Sequence, residues 1–194
     1  MTILGTIVRL QYQRDHLKVP DLPYKRYDPI NIVPVEELRV TPEGIEAGPV
    51  DAPWLDVHHR DHPRSRYRGD NGVSIGFTGH YRLIRERLGE RVCDGIAGEN
   101  ILIEVDRFIA PDELRGGLSI STKEGPVTIE QVIVAAPCVE FSRWALDFPA
   151  DARPDLSVTE TVRFLHQGMR GYYARSPQNA TLRLGDEVVI LPAP

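Results

Sequence analysis

Turn-forming residues divide this chain so finely that only a fold of many short strands fits it. Sixteen prolines and sixteen glycines are spread over 194 residues. Proline removes a ladder donor and glycine weakens a strand interior, so each punctuates regular structure. Between them lie short β-branched runs at 3–12, 35–40, 73–77, 118–122, 127–135, 180–184 and 187–191. A further strand opens after Asn100, where Ile101, Ile103 and Val105 alternate. The spacing predicts about eight to ten strands.

Helical spacing is confined to three places. Thr78 can cap a helix carrying Tyr81, Ile84 and Leu88 on one face and ended by Gly89; His80 in its first turn is expected to pack or bond locally. A second helix follows Cys138. Ser157-Val158-Thr159-Glu160 reads as a capping box opening a third, with Val158, Val162 and Leu165 on one face. Residues 111–114 form a single helical turn. Strands do not alternate with helices as βαβ units, so the expected fold is a β-rich α+β protein, a β-barrel with about three peripheral helices.

The length suits one domain over 1–194. A formal charge of -5 gives no general electrostatic reason to bind nucleic acid. No apolar run approaches the length needed to span a bilayer, so no membrane is expected. The N-terminal stretch lacks the basic region and cleavage site of a signal peptide. Cys93 and Cys138, the two cysteines, are too few for a disulfide scaffold. The expected location is cytoplasmic.

The chemistry-bearing stretch is Val134-Ala135-Ala136-Pro137-Cys138-Val139-Glu140-Phe141-Ser142-Arg143-Trp144. It reads as strand, stop, thiol, helix. A cysteine in the first turn of a helix lies near the positive end of the dipole, which favours thiolate and should lower its pKa. That suits a nucleophile, a sulfur carrier or a soft metal ligand; the bland alternative is a buried, inert thiol. Cys93 is expected to be structural.

Residues 57–71 hold His58, His59 and His62 with Arg60, Arg64, Arg66 and Arg68. Arginine forks match phosphate oxygens, so an anion site is one reading, a solvated loop another, and a histidine metal site a third. Pro63 opposes a helix that would align the rings, and no cysteine or glutamate lies nearby in sequence to complete a zinc shell. Residues 14–34 form an irregular stretch with Lys18, Lys25 and Arg26, long enough to be functional or mobile. In Gly95-Ile96-Ala97-Gly98-Glu99-Asn100 two glycines permit close backbone approach to a ligand. Asn100 can satisfy donors and acceptors together, either for a polar ligand or as a turn cap.

In this order the pieces resemble a MOSC domain, the module named after the C-terminal part of molybdenum-cofactor sulfurases. The resemblance rests on Gly98-Glu99-Asn100-Ile101, on Pro137-Cys138, on Gly168-Met169-Arg170-Gly171-Tyr172-Tyr173-Ala174 and on Leu184-Gly185-Asp186-Glu187-Val188. The element around Ser74, His80 and Tyr81 matches the one preceding the family's Gly-Glu-Asn segment. The resemblance covers roughly residues 30–191.

It implies a β-barrel with one pocket into which the cysteine points. By position, Cys138 would be the catalytic sulfur carrier or the ligand to molybdenum in a molybdenum-pterin cofactor, without pyridoxal phosphate. Asn100 after Glu99, with Ser74, would lie in the pocket floor and hold the pterin or phosphate. Arg64, Arg66 and Arg68, or Lys25 and Arg26, and Arg170 would anchor the anionic part of a small cofactor or substrate. The family implies reduction of N-hydroxylated compounds with an electron-donor protein, or sulfur handling with a sulfur-donor protein. The alternative is a non-catalytic MOSC-like module binding a phosphate-containing small molecule. Two departures stand out. Gly44 is followed by Ile45-Glu46-Ala47 where relatives often show Gly-Asp-Arg-His, and Glu140 stands where many carry a basic residue. A carboxylate beside the thiol would raise its pKa and repel an anion.

Overall fold

The strand that closes the barrel is the first one. A computed structural model describes residues 2–21 and 23–193. β1 (Thr2–Gln13) is twelve residues long and pairs with three partners in succession. Its start runs against β14 (Glu187–Ile190), its middle against β9 (Ile101–Ile103) and its end against β4 (Ile32–Val35). The circuit returns through β10 (Leu118–Thr122), β11 (Gly125–Val134), β12 (Tyr172–Arg175) and β8 (Val73–Phe77). The result is a closed seven-strand mixed barrel.

Register is pinned by close approach. A Cβ on Gly5 would sit 1.9 Å from the Glu104 carbonyl oxygen, so only glycine lets β1 cross there, beside the irregularity between Ile3 and Gly5.

Beside the barrel lies a small sheet in the order β13 (Ala180–Arg183), β5 (Glu37–Thr41), β6 (Gly44–Ala47), β7 (Trp54–Leu55). The segment expected as irregular, 14–34, contains a hairpin of β2 (Lys18–Val19) and β3 (Arg26–Tyr27), then a short 3-10 turn leading into β4. The expected strand at 35–40 is two strands that belong to different sheets, parted at Glu36. Among the described residues fourteen strands thus replace the eight to ten expected, the extra ones being two to four residues long.

The three expected helices form among the described residues: α1 (Thr78–Leu88), α2 (Val139–Ala145) and α3 (Leu156–Leu165). Two of their starts differ from expectation. Thr78 does not cap α1; its hydroxyl donates to the Val105 carbonyl and accepts the Val105 N–H, tying the helix to the end of β9. The cap of α3 is Asp155, which accepts from the N–H groups of Ser157 and Val158, so the helix starts before the expected box. One βαβ unit exists after all. β8 and β9 pair in parallel, and a parallel pair needs a crossover, which α1 provides.

Period-two alternation divides the interior in two. Ile101 and Ile103 face the barrel core with Ile7, Ile75, Phe77, Ile120, Ile129 and Val188. Leu102 between them faces outward into a second cluster with Tyr81, Ile84, Phe141, Ala145 and Leu165, which seats the helices. Both clusters are built of buried apolar side chains, and each large one contributes about 1.5–3 kcal/mol by leaving water. Cys93 is exposed. Among the described residues no helix is long and apolar enough to cross a membrane.

Candidate functional site

β11 ends at Val134, and the next N–H, of Ala135, donates to the Gly171 carbonyl at 3.0 Å. That bond fixes the strand exit against the start of β12. Pro137 then stops the ladder, and Cys138 takes the extended backbone of an N-cap, φ -126 and ψ 153. Its Sγ accepts the Phe141 N–H at 3.4 Å. The thiol stays half-exposed, on the wall of a cavity of about 400 Å³.

The charge in that cavity is of one sign. Lys18, Lys25, Arg66, Arg68 and Arg170 line it with His16 and His58, and no aspartate or glutamate does. The hairpin β2–β3 and its approach form one wall, through His16, Leu17, Lys18, Lys25 and Tyr27. Arg66 and Lys25 have no side-chain acceptor among the described residues; Arg68 leans on Asp70 at 3.4 Å and over the Tyr173 ring. Five cations facing one cavity repel each other unless an anion joins them. A wider groove of about 760 Å³ lies over the small sheet, but Arg39, Glu43, Glu46, Arg60, Asp61 and Glu124 mix both signs there and no thiol faces it.

The Gly-Glu-Asn segment acts from behind this cavity rather than in its floor. Glu99 is buried; its Oε1 accepts from Arg170 Nη1 at 3.0 Å and its Oε2 from the Tyr81 hydroxyl at 2.6 Å. Arg170 also donates to the Ala97 carbonyl and lies over the Phe141 ring. Burial alone would lower the pKa of Arg170, but the Glu99 carboxylate raises it above its ordinary value. Burial and the same carboxylate push the Tyr81 hydroxyl well up, so it stays a donor. Glu99 therefore aims a permanent cation into the cavity.

Asn100 has no free capacity for a ligand. Its Oδ1 accepts from Ser74 N at 2.9 Å and Ser74 Oγ at 2.8 Å; its Nδ2 donates to the Gln11 carbonyl at 3.2 Å and to Asp56 Oδ2 at 2.8 Å. All four of its hydrogen-bonding positions are used. Ser74 is spent on the same junction, and neither residue lines the cavity. Arg64 also lies outside, paired with Asp15. Of the residues singled out in the sequence, Cys138, Arg66, Arg68 and Arg170 come together around the cavity; Arg64, Ser74, Glu99 and Asn100 do not line it. Arg26 is engaged by Asp21 and Asp28.

The three histidines separate. His62 accepts the Arg64 N–H, and its other ring nitrogen lies 3.2 Å from the Arg14 carbonyl. His59 accepts the Asp61 N–H and faces the small-sheet groove. His58 alone reaches the cysteine cavity. No group of three His, Cys, Asp or Glu side chains that could hold a metal ion occurs among the described residues.

Behind His58 stands Asp56, which sequence reasoning missed. It is fully buried and accepts four bonds: Gln13 N at 2.7 Å, Asn100 Nδ2 at 2.8 Å, His58 N at 2.8 Å and His58 Nδ1 at 3.1 Å. Burial would raise its pKa, but the hydrogen bonds and charge of His58 and the Gln13 N–H bring it below the ordinary carboxylate value. His16 is held low by burial and by Arg66.

Glu140 does not line the cavity. It faces a smaller slot beside Trp144 and pairs with Lys18 at 3.4 Å. Burial would raise its pKa, but its own backbone N–H, the charge of Lys18 and a hydrogen bond from the Cys138 thiol lower it. The carboxylate two positions after the thiol is thus matched by a cation rather than left to repel an anion.

A search of curated proteins finds no match. Among solved structures, the YuaD protein from Bacillus subtilis is 14% identical with a TM-score of 0.52, covering 95% of this chain and 97% of that one. A hypothetical protein is 11% identical with a TM-score of 0.57, covering 97% and 69%. YiiM from Escherichia coli is 12% identical with a TM-score of 0.50, covering 82% and 65%. At such identities the likeness is one of fold. The family model of the MOSC domain matches residues 60–189, well over half of the sequence and spanning the barrel strands from β8 to β14, Glu99, Cys138 and Arg170. The chain belongs to the MOSC domain family.

Proposed function

We propose that the Cys138 cavity holds the phosphate-bearing pterin of a molybdenum cofactor, with Cys138 as the sulfur ligand to the metal or as a carrier of sulfur. The observation that carries this reading is a single half-exposed thiol sharing one cavity with five cationic side chains and no carboxylate. The donor set suits such a group: a soft thiolate for the metal and arginine forks for phosphate oxygens. Bound there, the cofactor would supply a redox-active centre for reduction of N-hydroxylated compounds, fed by an electron-donor protein.

The chain's own residues would do the rest. Arg66 and Lys25, without a side-chain acceptor among the described residues, would take the anionic oxygens first, with Arg68 beside them. Arg170, aimed by Glu99, would hold its donors in a fixed plane without needing to reorganise. The Phe141 N–H at Sγ would stabilise negative charge on sulfur.

The test is molybdenum and pterin content of protein purified without oxygen from a cofactor-producing host, beside Cys138→Ser. Metal and pterin in the wild type, with the metal lost in the variant, support ligation by Cys138. Neither in either sample refutes a tightly bound cofactor. A second reading, a module that binds a phosphate-containing small molecule without chemistry, is favoured by the thiol having no cationic partner among the described residues, its Sγ accepting from the Phe141 N–H instead. In that case Cys138→Ser leaves ligand affinity unchanged.

A further inference from the structure

We infer that His58 is an oxyanion-contacting residue of this cavity and takes up a proton as the anion enters; this rests on the anion-binding reading above. Asp56 and His58 both precede the stretch matched to the family, so the pair is read from this chain's own geometry.

Asp56 fixes which ring nitrogen is which. Two backbone N–H groups and the Asn100 amide already donate to it, and its two oxygens act as acceptors of an ionised carboxylate. The orientation of Asn100 is itself settled by the Ser74 N–H, which must meet the amide oxygen. His58 Nδ1 is therefore the donor to Asp56 at 3.1 Å. Its Nε2 has no protein partner among the described residues, and the ring lines the cavity. In the neutral ring that nitrogen carries a lone pair, which an oxyanion cannot approach favourably. With a proton it becomes a charge-assisted donor.

The surroundings couple proton and anion. Arg66, Arg68, Arg170, Lys18, Lys25 and His16 share the cavity with His58. Tyr173 lies against its ring at 5.8 Å between centroids, and Asp56 stands behind it. Among cations a bound anion and a proton on Nε2 favour each other, and the linkage is reciprocal. Asp56, shielded from the cavity, balances the imidazolium without opposing the anion. The chain of contacts from Asn100 to Asp56 to His58 gives the buried asparagine a route to the ligand that it never touches.

The experiment is calorimetric titration with inorganic sulfate, which does not itself titrate near neutrality, at pH 8 in two buffers of different ionisation enthalpy. The expected result is a net uptake of protons with sulfate in the wild type, read as a heat that differs between the two buffers. His58→Gln should still bind sulfate, more weakly, with uptake near zero. His16→Gln should keep the uptake. In parallel, sulfate should move the His58 Nε2 nitrogen resonance to its imidazolium position. Sulfate binding with no buffer-dependent heat would overturn this inference and leave the anion cavity standing. Uptake that survives His58→Gln but vanishes in His16→Gln would overturn it as well. No sulfate binding at all would overturn both.

Discussion

Glu99→Gln offers the sharpest test of how the cavity is held. The substitution keeps the shape of the side chain and an acceptor for Tyr81, but turns an NH2 group toward Arg170 Nη1, where a carboxylate oxygen accepts at 3.0 Å. The pair is unequally buried: Glu99 is 2% exposed and Arg170 16%, the latter opening on the cavity. Removing one partner of a buried pair costs about 3–5 kcal/mol, because the remaining charge is stranded. Hydration of Arg170 from the cavity side puts the expectation at the lower end, about 3 kcal/mol. Urea unfolding with an unchanged slope should show it as a lower midpoint. Removing the stranded charge should return most of the loss, so Glu99→Gln with Arg170→Met should show a coupling of about 2 kcal/mol. A loss below about 1 kcal/mol for Glu99→Gln, or strict additivity in the double variant, would refute the claim that Glu99 supports Arg170.

The two outer arginines should separate cleanly. Arg66→Ala is expected to weaken phosphate binding by about ten- to a hundredfold with little change in melting temperature, while Arg64→Ala leaves affinity unchanged; fluorescence or calorimetric titration decides. His80, 1% exposed, accepts the Ile109 N–H through Nε2, and burial lowers its pKa from 6.5 to about 4. As the unfolded chain takes up this proton first, its contribution to stability is complete above pH 6.5 and declines as the pH falls to about 4, by about 3 kcal/mol in all. His80→Gln should flatten that part of the stability profile. Gly171 has φ +110, and a Cβ there would sit 2.6 Å from the Ile75 carbonyl oxygen and 3.3 Å from Glu99 Oε1. Gly171→Ala should therefore lose more than about 2 kcal/mol in urea unfolding and weaken phosphate binding with it.

Local punctuation carried the fold because strand ends here are set by residues that act alone. Pro137 before Cys138, Gly89 after α1 and the Gly185-Asp186 turn each mark a boundary wherever the chain goes afterward. What stayed hidden depends on partners far away in sequence. Asn100 was legible as a polar residue at a strand start, but whether its amide turns to a ligand or inward is decided by Ser74, Gln11 and Asp56, which lie 26, 89 and 44 positions away. Asp56, one aspartate in a loop, carries no local signal. The alternating Arg64, Arg66 and Arg68 sit in irregular backbone, where spacing does not predict facing, so one fell to Asp15 and two to the cavity. Thr78 and Ser157 satisfied the rules for caps, yet Thr78 found a better partner in Val105 and Asp155 stood nearer the start of α3.

The pairing of β1 with β14 has a consequence for how the protein is made. Thr2 lies opposite Ile190, so the barrel is sealed by a pairing between strands far apart in the sequence. The end of β1 can pair with β4 early, but its start stays open until β14 has been made. Such distant closure slows folding, since the entropy of a long loop is lost before any contact repays it. β10 waits as well, because it needs β14 on its free side. Until β14 docks, the start of β1 and the free side of β10 are open edges that invite pairing with other chains, so aggregation competes with folding at the step that closes the barrel.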